Sequence, residues 1–250
     1  RPETFAAAVE GVDGVFLLRP PALASMRETL APFVDAALAH GVGHVVFLSV
    51  AGAANNALLP HHAVEQHLRV SGARWTLLRP GFFADNLGHS YRRDLLEDDQ
   101  LYVPVGHGRV AFVDVRDVAE AAAETLARPD THAQRAYTLS GPAALSFGQV
   151  GELLTEELGR PIRYVEATVS DYVRHLRRRG VPLTPALIQT VLHAGLRHGQ
   201  GAAVDPCLTE LLGRRPRSLR AHVQDHRALW LPAGAGRGVA SEPARAMMRS

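Results

Sequence analysis

The chain has 250 residues, 46% of them hydrophobic and 21% charged, a composition typical of a globular protein that buries one large core, or one core and a smaller lobe. The formal net charge is only +2, and no apolar run approaches the ~18–20 residues of a membrane span, so the sequence predicts neither nucleic acid nor a membrane as a partner. Every basic side chain other than histidine is an arginine, which excludes any mechanism that needs a lysine.

Three short apolar runs near the start of the chain predict strands that are buried on both faces of a sheet. They cover residues 15–18, 45–48 and 75–78, and amphipathic patterns at 4–10, 23–38 and 60–70 predict the helices around them. Because strands and helices alternate, a parallel α/β sheet with right-handed crossovers is the most economical interpretation.

The pattern becomes less regular after residue 87. It predicts strands at 101–105, 110–113, 136–139 and 162–165, and helices at 91–99, 117–126 (N-cap Asp117), 146–158 (N-cap Ser146), 169–178, 185–197, 208–212 and 218–229. We therefore predict three regions: the sheet domain at 1–140, a small and mainly helical lobe at 141–231, and a disordered tail at 232–250 that is rich in Gly, Ala and Arg.

The residues that follow the first three strands suit a binding crevice. They are residues 18–20, 49–50 and 80–82, and the carboxyl ends of parallel strands lie along the edge where open α/β sheets bind ligands. Pro80 cannot donate a hydrogen bond to the sheet, and Gly81 allows the backbone to approach a ligand closely. We expect all three strand ends to share one crevice.

Two histidines, His61 and His62, begin the helix between the second and third strands. Adjacent helical residues point about 100° apart, so only one of the two is expected to face the crevice. The helix dipole favours the neutral form of a histidine at this position, and a neutral imidazole can donate a hydrogen bond to a carbonyl or hydroxyl group. The alternatives are a surface histidine pair without a role and, for Ser49, an ordinary hydroxyl at the end of a strand.

An ordered series of motifs gives the sequence a family resemblance. The motifs are Val46-Phe-Leu-Ser49, Pro60-His61-His62-Ala-Val-Glu65, Trp75-Thr-Leu-Leu-Arg79-Pro80-Gly-Phe-Phe83-Ala-Asp-Asn86-Leu87, Phe112-Val-Asp-Val-Arg-Asp-Val-Ala119 and Tyr137-Thr-Leu-Ser-Gly141-Pro. Over residues 2–231 the chain resembles the NmrA-like branch of atypical short-chain dehydrogenase/reductase proteins. The segment 15–21 and the pair Trp230-Leu231 are also similar to ergot-alkaloid reductase-like members.

This resemblance implies a Rossmann-like parallel sheet that binds NADP or NAD, with a C-terminal lobe that closes over the nicotinamide. It implies adenosine-side contacts at Leu18, Arg19 and Pro20, nicotinamide-ribose contacts at Ser49 and Val50, and contacts with the nicotinamide at Pro80, Gly81 and Phe82. Phe83 and Asn86 are the substrate residues, and His61, which stands where many relatives carry a lysine, is the catalytic candidate.

The chain also departs from the family pattern in two ways. It has no Tyr-x-x-x-Lys motif, so the usual tyrosine acid is missing, although the cofactor still carries the hydride chemistry. It has no Gly-x-x-Gly-x-x-Gly loop either, and that loop binds the pyrophosphate. We expect the first two or three strands of the family fold, about 50–65 residues of βαβ units, to precede Arg1. Whether residues 1–250 are active without these strands is left open.

Two functions remain possible at this point. The first is an NAD(P)H-dependent oxidoreductase that reduces a small conjugated acceptor such as a quinone, an azo compound or an imine. The second is a regulatory protein that senses NAD(P) without turnover.

The single cysteine, Cys207, excludes an internal disulfide and favours a reducing cytoplasm. His222 and His226 have metal-ligand spacing but no evident third ligand, so we expect exposed histidines and no metal.

Overall fold

A computed structural model describes residues 2–19, 26 and 28–231 of the chain. Pro20, the first part of the helix predicted at 23–38, and the tail predicted at 232–250 lie outside these described residues. The fold of the described residues alternates short strands and helices up to residue 139 and is mainly helical beyond it.

The elements of the described residues follow the predicted order, with two short additions that were not predicted, helix α6 (Pro129–His132) and strand β7 (Ala144–Ser146). The strands are β1 (Gly14–Leu18), β2 (His44–Leu48), β3 (Trp75–Pro80), β4 (Gln100–Val103), β5 (Arg109–Ala111), β6 (Arg135–Leu139), β7 (Ala144–Ser146) and β8 (Arg163–Glu166). The α-helices are α1 (Phe5–Val9), α2 (Leu30–Ala39), α3 (Pro60–Val70), α4 (Arg92–Glu97), α5 (Val115–Ala127), α6 (Pro129–His132), α7 (Phe147–Leu158), α8 (Val169–Arg178), α9 (Leu183–Leu196), α10 (Cys207–Leu212) and α11 (Leu219–Asp225).

The main sheet is parallel, with the strand order β1-β2-β3-β6. This confirms the predicted α/β class and adds a fourth parallel strand beside the three apolar runs. β3 is longer than predicted, since Pro80 still pairs with Leu139 of β6. Proline can occupy this position because it takes part through its carbonyl oxygen, which accepts a hydrogen bond from the amide of Ala51 at 2.9 Å.

Hydrophobic clusters cover both faces of this sheet. On one face, Phe47 and Leu77 pack with residues of α1, α2 and α3. On the other face, Val46 and Leu78 pack with residues of α5 and α10. Successive residues of a strand point to opposite faces, so burial on both faces requires the unbroken apolar runs that identified β2 and β3 in the sequence.

A third cluster joins two distant parts of the chain. Its members come from residues 84–112 and 147–230, and β4 pairs with β8 while β5 pairs with β7. The buried indole of Trp230 donates a hydrogen bond to the carbonyl of Leu87 at 2.9 Å and so fastens the end of the described chain to this cluster. The proposed division at residue 141 stays a prediction.

Two local expectations are wrong. Asp114, and not Asp117, is the N-cap of α5, because its side chain accepts the amide of Arg116 while Asp117 lies buried inside the first turn. His222 is buried rather than exposed: its Nδ1 bonds an oxygen of Asp114 at 2.8 Å. Both errors arise from distant partners: Asp117 accepts the amide of Arg217, 100 residues later, and Asp114 bonds His222, 108 residues later.

None of the helices in the described ranges has the length and apolar character needed to cross a membrane.

Candidate functional site

The carboxyl ends of β1, β2 and β3 lie side by side. Leu18 is paired with Leu48, and Leu48 with Leu78. Beyond the strands, the amide of Ser49 donates to the carbonyl of Leu78 at 2.7 Å, and the amide of Gly81 donates to the carbonyl of Leu139 at 2.9 Å. The structure therefore brings the three predicted strand ends to one edge of the sheet, which we call the carboxyl edge, and adds the end of β6 to it.

A buried ion pair supports this edge from within. Glu65 of α3 is completely buried, and both of its oxygens accept hydrogen bonds from Arg79 of β3, at 2.9 Å from Nε and 2.5 Å from Nη2. The hydroxyl of Ser49 donates to Oε1 of Glu65 at 2.5 Å. We call these three residues the Ser49–Glu65–Arg79 cluster; it ties the end of β2 to α3 and β3.

The electrostatics of this cluster favour an ionised carboxylate. Burial opposes ionisation, but hydrogen bonds from Arg79 and Ser49 together with the guanidinium charge lower the pKa of Glu65 below its usual value. The cluster was not predicted from the sequence, although a signal was present: a glutamate beside inward-facing Val64 and an arginine within a buried strand are opposite charges at buried positions. Such charges are normally paired.

The structure distinguishes the two histidines of α3. His62 donates from Nδ1 to the carbonyl of Ala53 at 2.7 Å and so holds the loop before the helix. The ring of His61 lies 6.1 Å, centroid to centroid, from that of Phe47 in β2 and is influenced by the charge of Arg19, which follows β1. His61 is therefore the histidine that belongs to the carboxyl edge.

The half-buried imidazole of His61 is suited to a neutral hydrogen-bonding role. Burial, and secondly the positive charge of Arg19, lower the pKa of His61 below its ordinary value. The sequence predicts the same direction from the helix dipole, whereas in the structure burial is the largest cause. The Nδ1 atom is inaccessible to solvent and has no hydrogen-bond partner within the described ranges. A buried polar atom without a partner is costly, and a bound polar ligand would satisfy it.

Phe82 and Phe83, at the end of β3, pack in different directions. Phe82 packs edge-to-face on Phe112 and on His193, with ring centroids 5.6 and 5.8 Å apart respectively. It packs against the third cluster, whose buried members come from residues 84–112 and 147–230. Phe83 packs with the cluster that Val46 and Leu78 form with residues of α5 and α10. Asn86 lies half-buried in the following 3-10 helix, Ala84–Leu87. The two rings thus contact different clusters, and the role of Phe83 and Asn86 in substrate binding stays a prediction.

A tyrosine–histidine pair lies directly behind Phe82 and was not foreseen from the sequence. Nδ1 of buried His193 contacts the carbonyl of Gln189 at 2.6 Å, and a carbonyl only accepts, so the proton is on Nδ1. Nε2 consequently accepts the hydroxyl of Tyr91. Burial raises the pKa of Tyr91 and lowers that of His193 to about 4, so both groups are neutral near pH 7.

The remaining predicted residues lie along the same edge with different exposure. Leu18 is 53% exposed on the outermost strand of the described sheet. Arg19, Val50 and Gly81 are half-buried, Pro80 is buried, and Pro20 lies outside the described residues. The roles predicted for them in cofactor binding stay predictions, since the structure gives their placement and not their contacts with a ligand.

These residues fit one part of a dinucleotide. The edge holds the buried hydroxyl of Ser49, which is bonded to Glu65, an unpartnered buried imidazole nitrogen at His61 and an aromatic ring at Phe82; groups of these kinds suit the nicotinamide end. A glycine-rich cradle for the pyrophosphate does not occur in the sequence. Among the described residues, no group of three or more His, Cys, Asp or Glu side chains could hold a metal ion.

The chain is similar to known proteins of one family. The NmrA-like family matches residues 2–207. An NAD(P)H azoreductase of Xenophilus azovorans is 33% identical over 238 residues, which cover 91% of this chain and 80% of the azoreductase. An agroclavine dehydrogenase of Claviceps fusiformis is 30% identical over 227 residues, which cover 89% of this chain and 78% of the dehydrogenase.

The fold also matches a solved structure. The NADPH-dependent quinone oxidoreductase of Escherichia coli in complex with NADPH superposes with a TM-score of 0.82 at 24% identity, covering 91% of this chain and 81% of that one. The predicted family resemblance and the predicted Rossmann-like α/β fold are confirmed.

Proposed function

Because the chain belongs to the NmrA-like family, we propose that it is an NAD(P)H-dependent oxidoreductase that reduces a small conjugated acceptor, such as a quinone, an azo compound or an imine. The observation that carries the proposal is the meeting of three strand ends at one edge that also holds His61 with an unpartnered buried nitrogen. Relatives named as a reductase of azo compounds and a dehydrogenase of an alkaloid support the reaction class.

The chain's residues would bind and orient the two reactants. Leu18, Arg19 and Pro20 would contact the adenosine side, Ser49 and Val50 the nicotinamide ribose, and Pro80, Gly81 and Phe82 the nicotinamide. When bound, the reduced nicotinamide supplies the hydride. Phe83 and Asn86 would line the acceptor site. Holding two reactants in contact geometry lowers the entropic part of the barrier, so residues that only position them still accelerate the reaction.

His61 would orient a polar group of the cofactor or the acceptor. Its lowered pKa keeps the imidazole neutral near pH 7, and a neutral imidazole both donates and accepts a hydrogen bond. The missing tyrosine–lysine motif means that the acceptor takes its proton from another source, which suits acceptors that are reduced easily. The same absence would suit a protein that binds NAD(P) as a sensor, which is the competing function.

The test compares binding with turnover. NADPH and NADH binding would be followed by nicotinamide fluorescence, and oxidation of both would be assayed with a quinone, an azo dye and a cyclic imine. Turnover with at least one acceptor supports the enzyme, whereas binding without turnover on all three supports the sensor. His61→Ala should weaken binding or turnover at least several-fold, while His40→Ala, which changes an exposed histidine at the end of α2, should have no effect.

The composition of the chain supports a proposal for the cellular compartment and for the class of partner. As part of the same proposal, the protein works in a reducing cytoplasm on a small-molecule substrate, because Cys207 is its single cysteine and a net charge of +2 gives no strong attraction to nucleic acid or to a membrane surface.

A further inference from the structure

We propose that the Glu65–Arg79 ion pair fixes Ser49 as a hydrogen-bond acceptor at the carboxyl edge, so that Ser49 recognises a donating hydroxyl of the nicotinamide ribose and does not donate to the acceptor substrate. Glu65 and Arg79 are then positioning residues that act through Ser49. This inference rests on the proposed function, since it concerns the same cofactor site.

The hydroxyl of Ser49 has a single hydrogen to donate. Ser49 Oγ lies 2.5 Å from Oε1 of Glu65. An ionised carboxylate has no hydrogen to give and only accepts, so the hydroxyl hydrogen of Ser49 lies on this bond. A hydroxyl oxygen carries two lone pairs besides its hydrogen. What Ser49 offers to a ligand is therefore acceptor capacity alone.

The ion pair keeps Glu65 ionised, so its carboxylate continues to accept the hydrogen of the Ser49 hydroxyl. Arg79 donates to both oxygens of Glu65, and the carboxylate is completely buried. The carboxylate thus receives two hydrogen bonds from a guanidinium that is permanently charged, and it stays ionised because these bonds lower its pKa. Bonds from a charged donor are roughly twice as strong as bonds between neutral groups. Rotation of the Ser49 hydroxyl away from Glu65 would remove one bond from a buried charge.

The consequence for recognition depends on what each ligand group can do. The carbonyl oxygen of a quinone accepts hydrogen bonds and cannot donate one, so Ser49 has nothing to offer it. A ribose hydroxyl donates, and it forms a bond with a fixed acceptor. Two side chains at the edge therefore have separate roles. Ser49 accepts a hydrogen bond from the cofactor, and the imidazole of His61 has a nitrogen without a hydrogen-bond partner among the described residues.

The test uses analogues of NADP in which fluorine replaces the 2′- or the 3′-hydroxyl of the nicotinamide ribose, because fluorine cannot donate. Their dissociation constants would be divided by that of NADP. In the unchanged protein, we expect one of the two analogues to bind at least about tenfold more weakly, which corresponds to one lost hydrogen bond. In Ser49→Ala the ratio should fall to about one, because the acceptor is gone.

The ion pair is tested with a double variant, since removal of one partner alone would leave an uncompensated buried charge. Glu65→Leu combined with Arg79→Met replaces both charges by apolar side chains of similar size. Freed from Glu65, Ser49 can turn its hydrogen toward the ligand, and the analogue ratio should fall to about threefold or less. Arg74→Met combined with Asp130→Leu is the matched control, because it removes an exposed ion pair at the other end of β3; its ratio should equal that of the unchanged protein.

Each result bears on the proposal. A ratio near one for both analogues in a protein that binds NADP overturns the inference and leaves the proposed function intact. An unchanged ratio in the Glu65→Leu, Arg79→Met variant shows that the ion pair does not set the direction of the hydroxyl. Failure of the unchanged protein to bind NADP(H) or NAD(H) at any concentration overturns the proposed function, and the inference with it.

Discussion

The buried bond between Tyr91 and His193 allows a prediction with a defined magnitude. His193→Phe keeps an aromatic ring behind Phe82 but removes the nitrogen that accepts the Tyr91 hydroxyl. Tyr91 is only 2% exposed, so water cannot replace the lost acceptor. A buried donor left without a partner costs about 1–3 kcal/mol, and we expect a loss of this size in the free energy of unfolding at pH 7.5.

The sign of the difference should reverse in acid. The pKa of His193 is lowered from 6.5 to about 4 in the folded protein, because burial disfavours the charged ring. Below pH 6.5 the unfolded chain therefore binds a proton that the folded chain does not, and stability falls as the pH drops toward 4. At about 1.4 kcal/mol per pKa unit, this costs the unchanged protein roughly 3 kcal/mol by pH 4. His193→Phe does not bear this cost, so the two stability curves should cross between pH 4 and 6.5.

Urea unfolding at a series of pH values measures both effects. Other histidines with lowered pKa values, among them His44 and His132, contribute equally to both proteins and cancel in the difference. Tyr91→Phe combined with His193→Phe is the control: with both partners removed, the variant should recover most of the loss at pH 7.5. Parallel curves, or a double variant as unstable as the sum of the two single variants, would refute the reasoning.

Three further predictions concern the N-cap of α5, the backbone at Gly141 and the aromatic ring of Phe82. Asp114→Asn should cost about 1–3 kcal/mol in urea unfolding, because it removes the charge that binds a guanidinium and a buried imidazole. The remaining amide oxygen can still accept the backbone amide of Arg116 in the first turn of α5. Asp225→Asn, at an exposed ion pair, should stay within about 0.5 kcal/mol. Gly141→Ala should lower the melting temperature strongly, since a Cβ there would collide with a backbone carbonyl, while Gly148→Ala, which meets only ordinary contacts, should be neutral or stabilising by up to about 1 kcal/mol. Phe82→Leu should weaken the binding of NADPH several-fold, by loss of ring contacts worth about 0.5–1.5 kcal/mol each, and change KM for an aromatic acceptor less. A larger change in that KM than in the dissociation constant of NADPH would argue against the predicted contact of Phe82 with the nicotinamide.

Sequence reasoning identified the elements whose signal is local. The apolar runs of β2 and β3 were sufficient because strands buried on both faces leave no room for polar residues. The N-cap of α7 at Ser146 was also predicted, since a cap involves atoms within one turn; the structure adds that Ser146 and Gln149 form a capping box, in which each side chain bonds the other residue's backbone. For these elements the sequence and the structure differ by one or two residues at the ends.

Pairings between distant residues could not be read in the same way. Asp114 and Asp117 are both good capping residues, and what distinguishes them is that Asp117 is taken by Arg217, 100 residues later. Tyr91 and His193 are 102 positions apart. A sequence shows that a charged or polar residue falls at a buried position, but its partner is set by which helix packs over which strand. The Ser49–Glu65–Arg79 cluster and the Tyr91–His193 pair therefore became visible only in the structure.

The placement of the polar groups restricts the acceptor. In the part of the chain that the structure describes, the carboxyl edge holds a serine whose hydrogen is engaged by a carboxylate, a histidine kept neutral by burial, and, behind Phe82, a tyrosine that is itself buried and bonded. Such a site can orient two reactants but has little capacity to give a proton to a poor acceptor. Its rate should therefore depend on how readily the acceptor takes a hydride, which favours quinone-like and azo acceptors over simple ketones that need strong general-acid assistance.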